Sequence, residues 1–414
     1  MKTASTGIER ADQSPETQTI DVAVIGGGIA GSSAAIRLAR MGLGVTLFDK
    51  ESGAHDKVCG EFISGEGLPL LREVGIDLEK NESPEITGFR LHSGNQTFST
   101  TLPARARGIS RRWLDNELLI NAEKAGVKVE RGTMVREIEE WPQKNRPYFV
   151  LNTKTETIRA RYVIVATGKH DFKSVQVRSG RDSGYVGFKM HLHLKPSAAK
   201  RMAKHCDLYI FPYGYGGLSV IEDGVANFCF LMKRTALSKI GTDWESLAGH
   251  ITKHSWAASQ DLDGSTPLFK HCVSVARIPY GFIRSAPPPP GLFCVGDQMA
   301  VIPSLTGDGM TIAMMTAKRS CETIHRIELG EVPLKRATRM YQFEMAKALA
   351  PQVSAAFALH VLFRNPNLTS LMIPAIKRVP FIYRQAFRLT RCEIETGKNS
   401  KRLFGRKVPT LIES

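Results

Sequence analysis

The hexapeptide Gly26-Gly27-Gly28-Ile29-Ala30-Gly31 constrains the fold more than any other part of the chain. It fits G-x-G-x-x-G, and what flanks it gives the pattern meaning. Residues 20–25 (IDVAVI) are apolar and β-branched, as a buried parallel strand should be. From Ala30 to Met41 the composition is helix-forming, and Val45–Phe48 is a second short apolar run. Strand, helix and strand within about thirty residues is the size of a βαβ unit. Gly26 permits the tight turn, Gly28 lets the backbone approach a pyrophosphate with no Cβ in the way, and Gly31 lets the helix pack close to the strand. The opening amides of that helix, Ala30 among them, offer free N–H groups and partial positive charge to phosphates. Asp49 ends the second strand 21 residues after Gly28, and it and the following Lys50 are candidate cofactor contacts. An acid there accepts both hydrogen bonds from a ribose diol. The expected fold is α/β, with a Rossmann-type dinucleotide domain that begins near residue 20.

The rest of the chain supplies further pieces of that domain, with other material between them. Residues 109–125 read as a helix; Lys128–Arg131, Tyr148–Asn152 and residues 161–166 read as strands, the last ending at Thr167-Gly168. Leu208–Phe211, Leu218–Ile221 and Ala226–Leu231 look antiparallel, with glycine-rich turns between them. Four prolines within 284–291 make a connector. Leu292–Val295 is again a buried strand, and a helix runs from about Asp308 to Ile324. The expected layout is a discontinuous dinucleotide domain (20–85, 105–170 and 285–330). Into it is inserted a mainly antiparallel β substrate domain (86–104 and 171–284). A flexible tail (1–19) precedes it and a basic helical segment (331–414) follows it.

Residues 294–310 (CVGDQMAVIPSLTGDGM) decide which dinucleotide. A strand ends at Gly296-Asp297, where the carboxylate can bind a ribityl hydroxyl. The loop then passes Pro303 to Gly307-Asp308-Gly309, where a helix starts. Amides at that start can face the N1–C2=O edge of a flavin, which gains negative charge on reduction. The cofactor read from these residues is FAD.

With those blocks in place, the chain resembles the flavoprotein superfamily of aromatic-ring hydroxylases (p-hydroxybenzoate hydroxylase-like), flavin-dependent halogenases and geranylgeranyl reductases. A third matching block is Ile109-Ser110-Arg111-Arg112-Trp113-Leu114-Asp115 with Leu118, similar to the superfamily's R-x-x-L-D-x-x-L helix. The resemblance covers roughly residues 20–330. It implies a glutathione-reductase-like FAD domain, with Arg111 near the FAD phosphates and backbone near Val135 meeting the adenine.

Within the superfamily, the mid-chain strand ends Ala166-Thr167-Gly168, where the hydroxylases usually show Asp-Gly. Trp113, Trp141, Trp244 and Trp256 never stand two apart, so the halogenases' W-x-W-x-I-P is missing. Two segments resemble the geranylgeranyl reductase branch. Lys57-Val58-Cys59-Gly60-Glu61 is similar to its cysteine–glycine loop near the flavin ring. Tyr209-Ile210-Phe211-Pro212, with Tyr213 and Tyr215 after it, is similar to its Y-x-F-P substrate segment, although the tryptophan often found nearby is missing. Cys59 and Glu61 are therefore candidate catalytic groups, against the plainer readings of a small buried hydrophobe and a capping acid. Tyr209, Phe211, Tyr213 and Tyr215 are candidate substrate-pocket residues, although alternate strand positions must also fill core. His170, His191 and His193 have no metal-ligand spacing, and no metal is expected.

Composition narrows the partners. The seven cysteines are scattered and form no C-x-x-C pair, which fits a reduced, cytoplasmic interior. No uninterrupted apolar stretch is long enough to cross a bilayer. The net charge is +16, and residues 331–414 hold 15 Lys and Arg against 5 Glu. That surface suits an acidic electron-transfer protein or the anionic inner face of a membrane, against the plainer reading of a solvated basic face. No nucleic-acid-binding motif is visible. The expected reaction is hydride transfer to a C=C bond of a lipophilic small molecule. The alternatives are hydroxylation or epoxidation of an aromatic, polyketide or terpenoid compound, and a flavin-binding sensor without turnover. NADPH, binding transiently, is a candidate electron donor, since only one dinucleotide fingerprint is present.

Overall fold

The computed structural model describes residues 19–80, 82–141, 148–170, 172 and 182–391. The expected N-terminal tail lies outside that range except for its last residue, as do Cys392 and the rest of the basic C-terminus.

The chain builds two sheets. In the first, parallel strands run in the order Lys128–Arg131, Val45–Asp49, Thr19–Ile25, Thr157–Val165. The last of these is shared on its far side. Its first half pairs antiparallel with Tyr148–Asn152, and its second half pairs parallel with Leu292–Cys294. A strand from far downstream therefore belongs to the nucleotide sheet. The helices Ile29–Arg40, Arg111–Lys124 and Gly309–Glu328 contribute to the hydrophobic core beside the sheet, with Ile36, Leu118 and Ile324 buried there. The near-continuous apolar strands follow from burial on both faces.

The second sheet is mostly antiparallel. Its order is Thr266–Pro267, Tyr185–His193, Ala226–Lys233, Gly214–Val220, His205–Phe211, Glu85–Ser93, Gln96–Gly108, Phe62–Ile63. One pair, His205–Phe211 with Glu85–Ser93, is parallel. Side chains alternate across the pleat. Phe188, Tyr209, Phe211, Phe228 and Phe230 pack on one face, against Trp244–His254 and Trp256–Leu262. Tyr185, Leu208, Ile210, Tyr215 and Leu231 pack on the other.

Those two helices, with Pro196–Met202 and Arg234–Ile240, add helical layers that the strand pattern alone leaves out. After residue 331 come Leu334–Phe363, Pro366–Arg378 and Pro380–Thr390, all helical. The first is, by length and composition, long and apolar enough to cross a membrane, although it contains no uninterrupted apolar run of that length. Its 30 residues interleave polar and apolar side chains, so no single run is long while the mean is apolar. Tyr341, Met345, Leu349 and Val353 nevertheless enter the core, and the Tyr341 hydroxyl donates to Cys294 O at 2.8 Å.

Candidate flavin and substrate site

The glycine turn sits at the carboxyl end of the first strand. Gly26 has φ of +104°, and a Cβ there would meet Ala166 O at 2.5 Å. A Cβ on Gly31 would lie 1.9 Å from Gly26 O, so helix and turn touch. Gly28 differs. Its Cβ position is open, with only Arg111 Nη2 at 3.6 Å and Lys57 Nζ at 3.8 Å. Two cations therefore look into a space bounded by the helix amides. Asp115 orders both: it accepts two bonds from Arg111 at 2.9 Å and one from Lys57 at 2.8 Å. Burial works against the Asp115 charge, yet Arg111 and Lys57 hold its carboxyl below the usual range. A cleft lined by Gly27, Asp49, His55, Lys57, Asn116 and Arg131 continues from this space. The set fits a pyrophosphate followed by a ribose.

The downstream motif meets the fingerprint in space. Gly296, at φ +60°, packs its α-carbon side against Ala30, and its N–H donates to Thr316 Oγ1 at 2.8 Å. Asp297 is half-buried in the short turn Gly296–Gln298. Gly307, at φ +71°, lies under Phe62, whose ring a Cβ would meet at 2.8 Å. Nothing lies within 4 Å of a Cβ on Gly309, which opens the helix. That open first turn is where a flavin edge fits.

Residues 56–62 bridge the two sheets. Cys59 Sγ lies 4.0 Å from Met310 Sδ, in the first turn of that same helix. Cys59 O accepts from Asn227 Nδ2 at 3.1 Å. Glu61 is wholly buried and adopts φ +53°, a conformation that L-residues reach only at a cost. Its carboxylate takes three donors: Arg111 N at 2.7 Å, Lys189 Nζ, and His191 Nε2 at 2.7 Å. Lys189 Nζ, with no exposed surface, also reaches Asp56 Oδ1 at 3.0 Å. Asp56, Glu61 and His191 bring ligand atoms within 4.8 Å of one another, as a metal site would. The Lys189 ammonium bonds two of the three and already supplies positive charge there.

Comparison with known proteins agrees with this geometry. Residues 19–205 match the family model described as "FAD binding domain". Residues 19–205 thus belong to an FAD-binding domain. The chain is 25% identical over 353 residues to a tryptophan 2-halogenase of Chondromyces crocatus, covering 78% of this chain and 64% of the halogenase. It thus spans less than two thirds of that relative's length. It is 24% identical over 345 residues to a menaquinone reductase of Mycobacterium tuberculosis, covering 80% of this chain and 83% of the reductase. The flavin-dependent brominase Bmp2 shares its fold, with a TM-score of 0.73 at 16% identity over 90% of this chain and 93% of that one.

Several sequence-based expectations need correction. Tyr209 and Phe211 are fully buried on the sheet face turned away from Cys59, within the helix-covered core. The Tyr209 hydroxyl donates to Asp261 Oδ2 at 2.9 Å. Tyr213 sits at the hairpin tip, 52% exposed, stacked on His250. None of the three reaches the site. The pleat instead puts Tyr215 on the site face, bonded at 3.1 Å to His360 Nδ1. Lys50 turns to solvent beside Glu51, and Glu51 rather than Lys50 lines the cleft. The Asp308 carboxylate faces the C-terminal helices, accepting from Arg391 at 2.8 Å and Gln352 at 3.0 Å, so only its backbone borders the open turn. Val135 is buried beside Phe48 and Ile138, two residues from Thr133, whose N–H donates to Asp49 O. His191 belongs to the Glu61 cluster, whereas His193 is exposed.

Sequence alone does not single out Lys57 and Lys189, whereas it marks Tyr215 as a pocket residue together with Tyr209, Phe211 and Tyr213. Lys57 carries a signal, its place in the Cys59 loop. Lys189 becomes visible once pairing fixes the strand faces.

Proposed function

We propose that this protein is an FAD-dependent oxidoreductase that reduces a carbon–carbon double bond in a lipophilic small molecule. The observation that carries the reading is the apolar sheet face running away from the Cys59 loop. Along Ala226–Lys233, the side chains of Asn227, Cys229 and Leu231 share that face. Asn227 holds Cys59 O, and Leu231 pairs across the sheet with Tyr215 and Gly187. Beyond them Leu208, Ile210, Tyr280 and Val301 continue that face as a buried apolar layer, packed against Phe363 and Ile373 of the C-terminal helices, and on this reading those helices move aside to make it a wall for substrate. Such a wall recognises hydrocarbon, with tyrosine hydroxyls as its polar handles. The menaquinone reductase relative supports a lipophilic substrate of this kind.

In this reading Gly26, Gly28, Ala30 and Gly31 carry the pyrophosphate, with Arg111 and Lys57 as counter-charges and Asp49 on the ribose. Asp297, Gly307 and Gly309 would border the ribityl chain and ring. Reduced FAD held by these residues would supply the hydride for one alkene carbon. The second carbon then needs a proton, and the Cys59 thiol, beside the first turn of the Gly309 helix, is placed to give it. Glu61 acts through others: it anchors the helix that carries Arg111 to the strand that carries Lys189. NADPH is the donor favoured here, binding transiently.

The test is anaerobic. Mixing the reduced enzyme with a polyprenyl substrate should reoxidise the flavin without O₂ and leave a product two hydrogens heavier. Reoxidation that strictly needs O₂, with labelled oxygen entering the product, would replace this reading by oxygenation. The same fold supports both chemistries, because the cofactor carries the reaction.

A further inference from the structure

The three C-terminal helices pack on one another and on the second sheet, but cover only part of their own surface. Val353, Ala356, His360 and Ile373 point inward and are buried. On the outside, Val361, Leu368, Leu371, Phe381 and Leu389 are 42–75% exposed. Seven of the fourteen exposed large apolar side chains among the described residues fall between Phe357 and Leu389. The same stretch is basic. No Asp or Glu occurs between Glu344 and Glu393, while Arg364, Lys377, Arg378 and Arg384 are all exposed.

We propose that this surface rests on the face of an anionic lipid bilayer. Exposed apolar side chains interleaved with Lys and Arg are what an interfacial helix presents: the apolar groups enter the acyl boundary and the cations meet the headgroups. A second copy of the chain is a poor occupant, because two such faces would oppose like charges with no acid to pair them. A span is also excluded for the long helix, whose Tyr341, Met345, Leu349 and Val353 are committed to the core. The contact is therefore peripheral.

The surface adjoins the apolar wall. Val361 follows His360, whose ring lies 5.3–5.6 Å from those of Tyr185, Tyr215 and Tyr280. One helical turn thus faces lipid on one side and the wall on the other, so a lipophilic substrate passes between them without crossing water. This last step rests on the proposed substrate class; the membrane contact does not.

The experiment is flotation of the full-length, FAD-loaded enzyme with vesicles of phosphatidylcholine alone, or with roughly a quarter phosphatidylglycerol. Binding should appear with the anionic vesicles and fall at about 0.5 M salt. The double variant L371E/F381E, altered at two exposed positions, should float about tenfold less, with its flavin spectrum and sedimentation coefficient unchanged. The proposal is overturned if the wild type stays down with anionic vesicles, or if the variant floats equally well. It is also overturned if the variant converts a dimer to a monomer, which would make the face a self-interface. Anaerobic turnover of a detergent-dispersed substrate, measured in parallel, tests the reaction independently of the surface.

Discussion

Replacing Lys189 by Met should cost about 3–5 kcal/mol of stability, the usual consequence of removing one partner from a buried ion pair. Lys189 has no exposed surface, and its Nζ serves both Glu61 and Asp56. The two acids will fare differently. Asp56 keeps 14% of its side chain in water and can rehydrate. Glu61 has none, and would keep only the Arg111 N–H and His191 as partners. Most of the penalty therefore lies on Glu61. That assignment predicts rescue: in E61Q/K189M no buried charge is orphaned, and the side-chain amide carbonyl introduced by E61Q still accepts from Arg111 N. The double variant should recover about 2 kcal/mol relative to K189M, a coupling within the range for contacting residues. Urea unfolding of the FAD-loaded protein, followed by far-UV circular dichroism and flavin fluorescence, gives all four corners of the cycle. A K189M loss below about 1 kcal/mol, or two single losses that simply add, would refute the reasoning.

Four further outcomes follow from the geometry. Gly28→Ala should leave the fold intact but weaken FAD binding at least about tenfold by isothermal titration, because its Cβ enters the open space before Arg111, whereas Gly31→Ala should lower the melting temperature because its Cβ strikes Gly26 O. Tyr209→Phe should cost about 1–3 kcal/mol of stability by leaving buried Asp261 short of a donor, with KM unchanged, while Tyr215→Phe should raise KM. Burial pushes His360 down from 6.5 to about 4, so the folded state resists its protonation. Stability is fully present above pH 6.5 and lost as pH falls toward 4, by about 3 kcal/mol, and His360→Phe should flatten that limb in acid titrations of unfolding. Burial raises the Asp308 carboxyl above 3.8 and Arg391 opposes the rise; Arg391→Met should therefore be tolerated at low pH and lose stability as pH increases through the raised pKa, with Asp308→Asn in the same chain removing the dependence.

The nucleotide half of the fold was legible because its signals are local. Gly26, Gly28 and Gly31 act within six residues, and the strands around them are apolar throughout because both faces are covered. The Gly296–Gly309 block was legible for the same reason, although Gly296 meets Ala30 from the far end of the chain. The second sheet was less legible because a strand's phase is not a local property. Tyr209 and Tyr215 lie in paired strands of similar composition, yet a hairpin of two turn residues sends them to opposite faces. Tyr185–His193 reads as a polar-interrupted run because Lys189 and His191 stand where apolar residues usually do. Their burial makes sense only with Glu61, which lies 128 residues from Lys189.

The three bonds to its carboxylate offset the cost of the positive φ at Glu61. One carboxylate ties three elements: the turn after the Cys59 loop, the first N–H of the helix that carries Arg111, and the strand that opens the apolar wall. Loosening any of the three bonds should move the phosphate-side cation and the proposed substrate face together, so on the proposed reading the residue couples cofactor to substrate without touching either. On this reading Glu61 is a positioning residue rather than an acid, and the distinction is measurable. E61Q, which keeps an acceptor for Arg111 N, should retain FAD and most of its kcat; E61A, which leaves buried Lys189 with Asp56 alone, should lose FAD affinity and stability together. If both variants instead lose kcat equally while binding FAD as the wild type does, a proton moves through this carboxyl and the positioning argument fails.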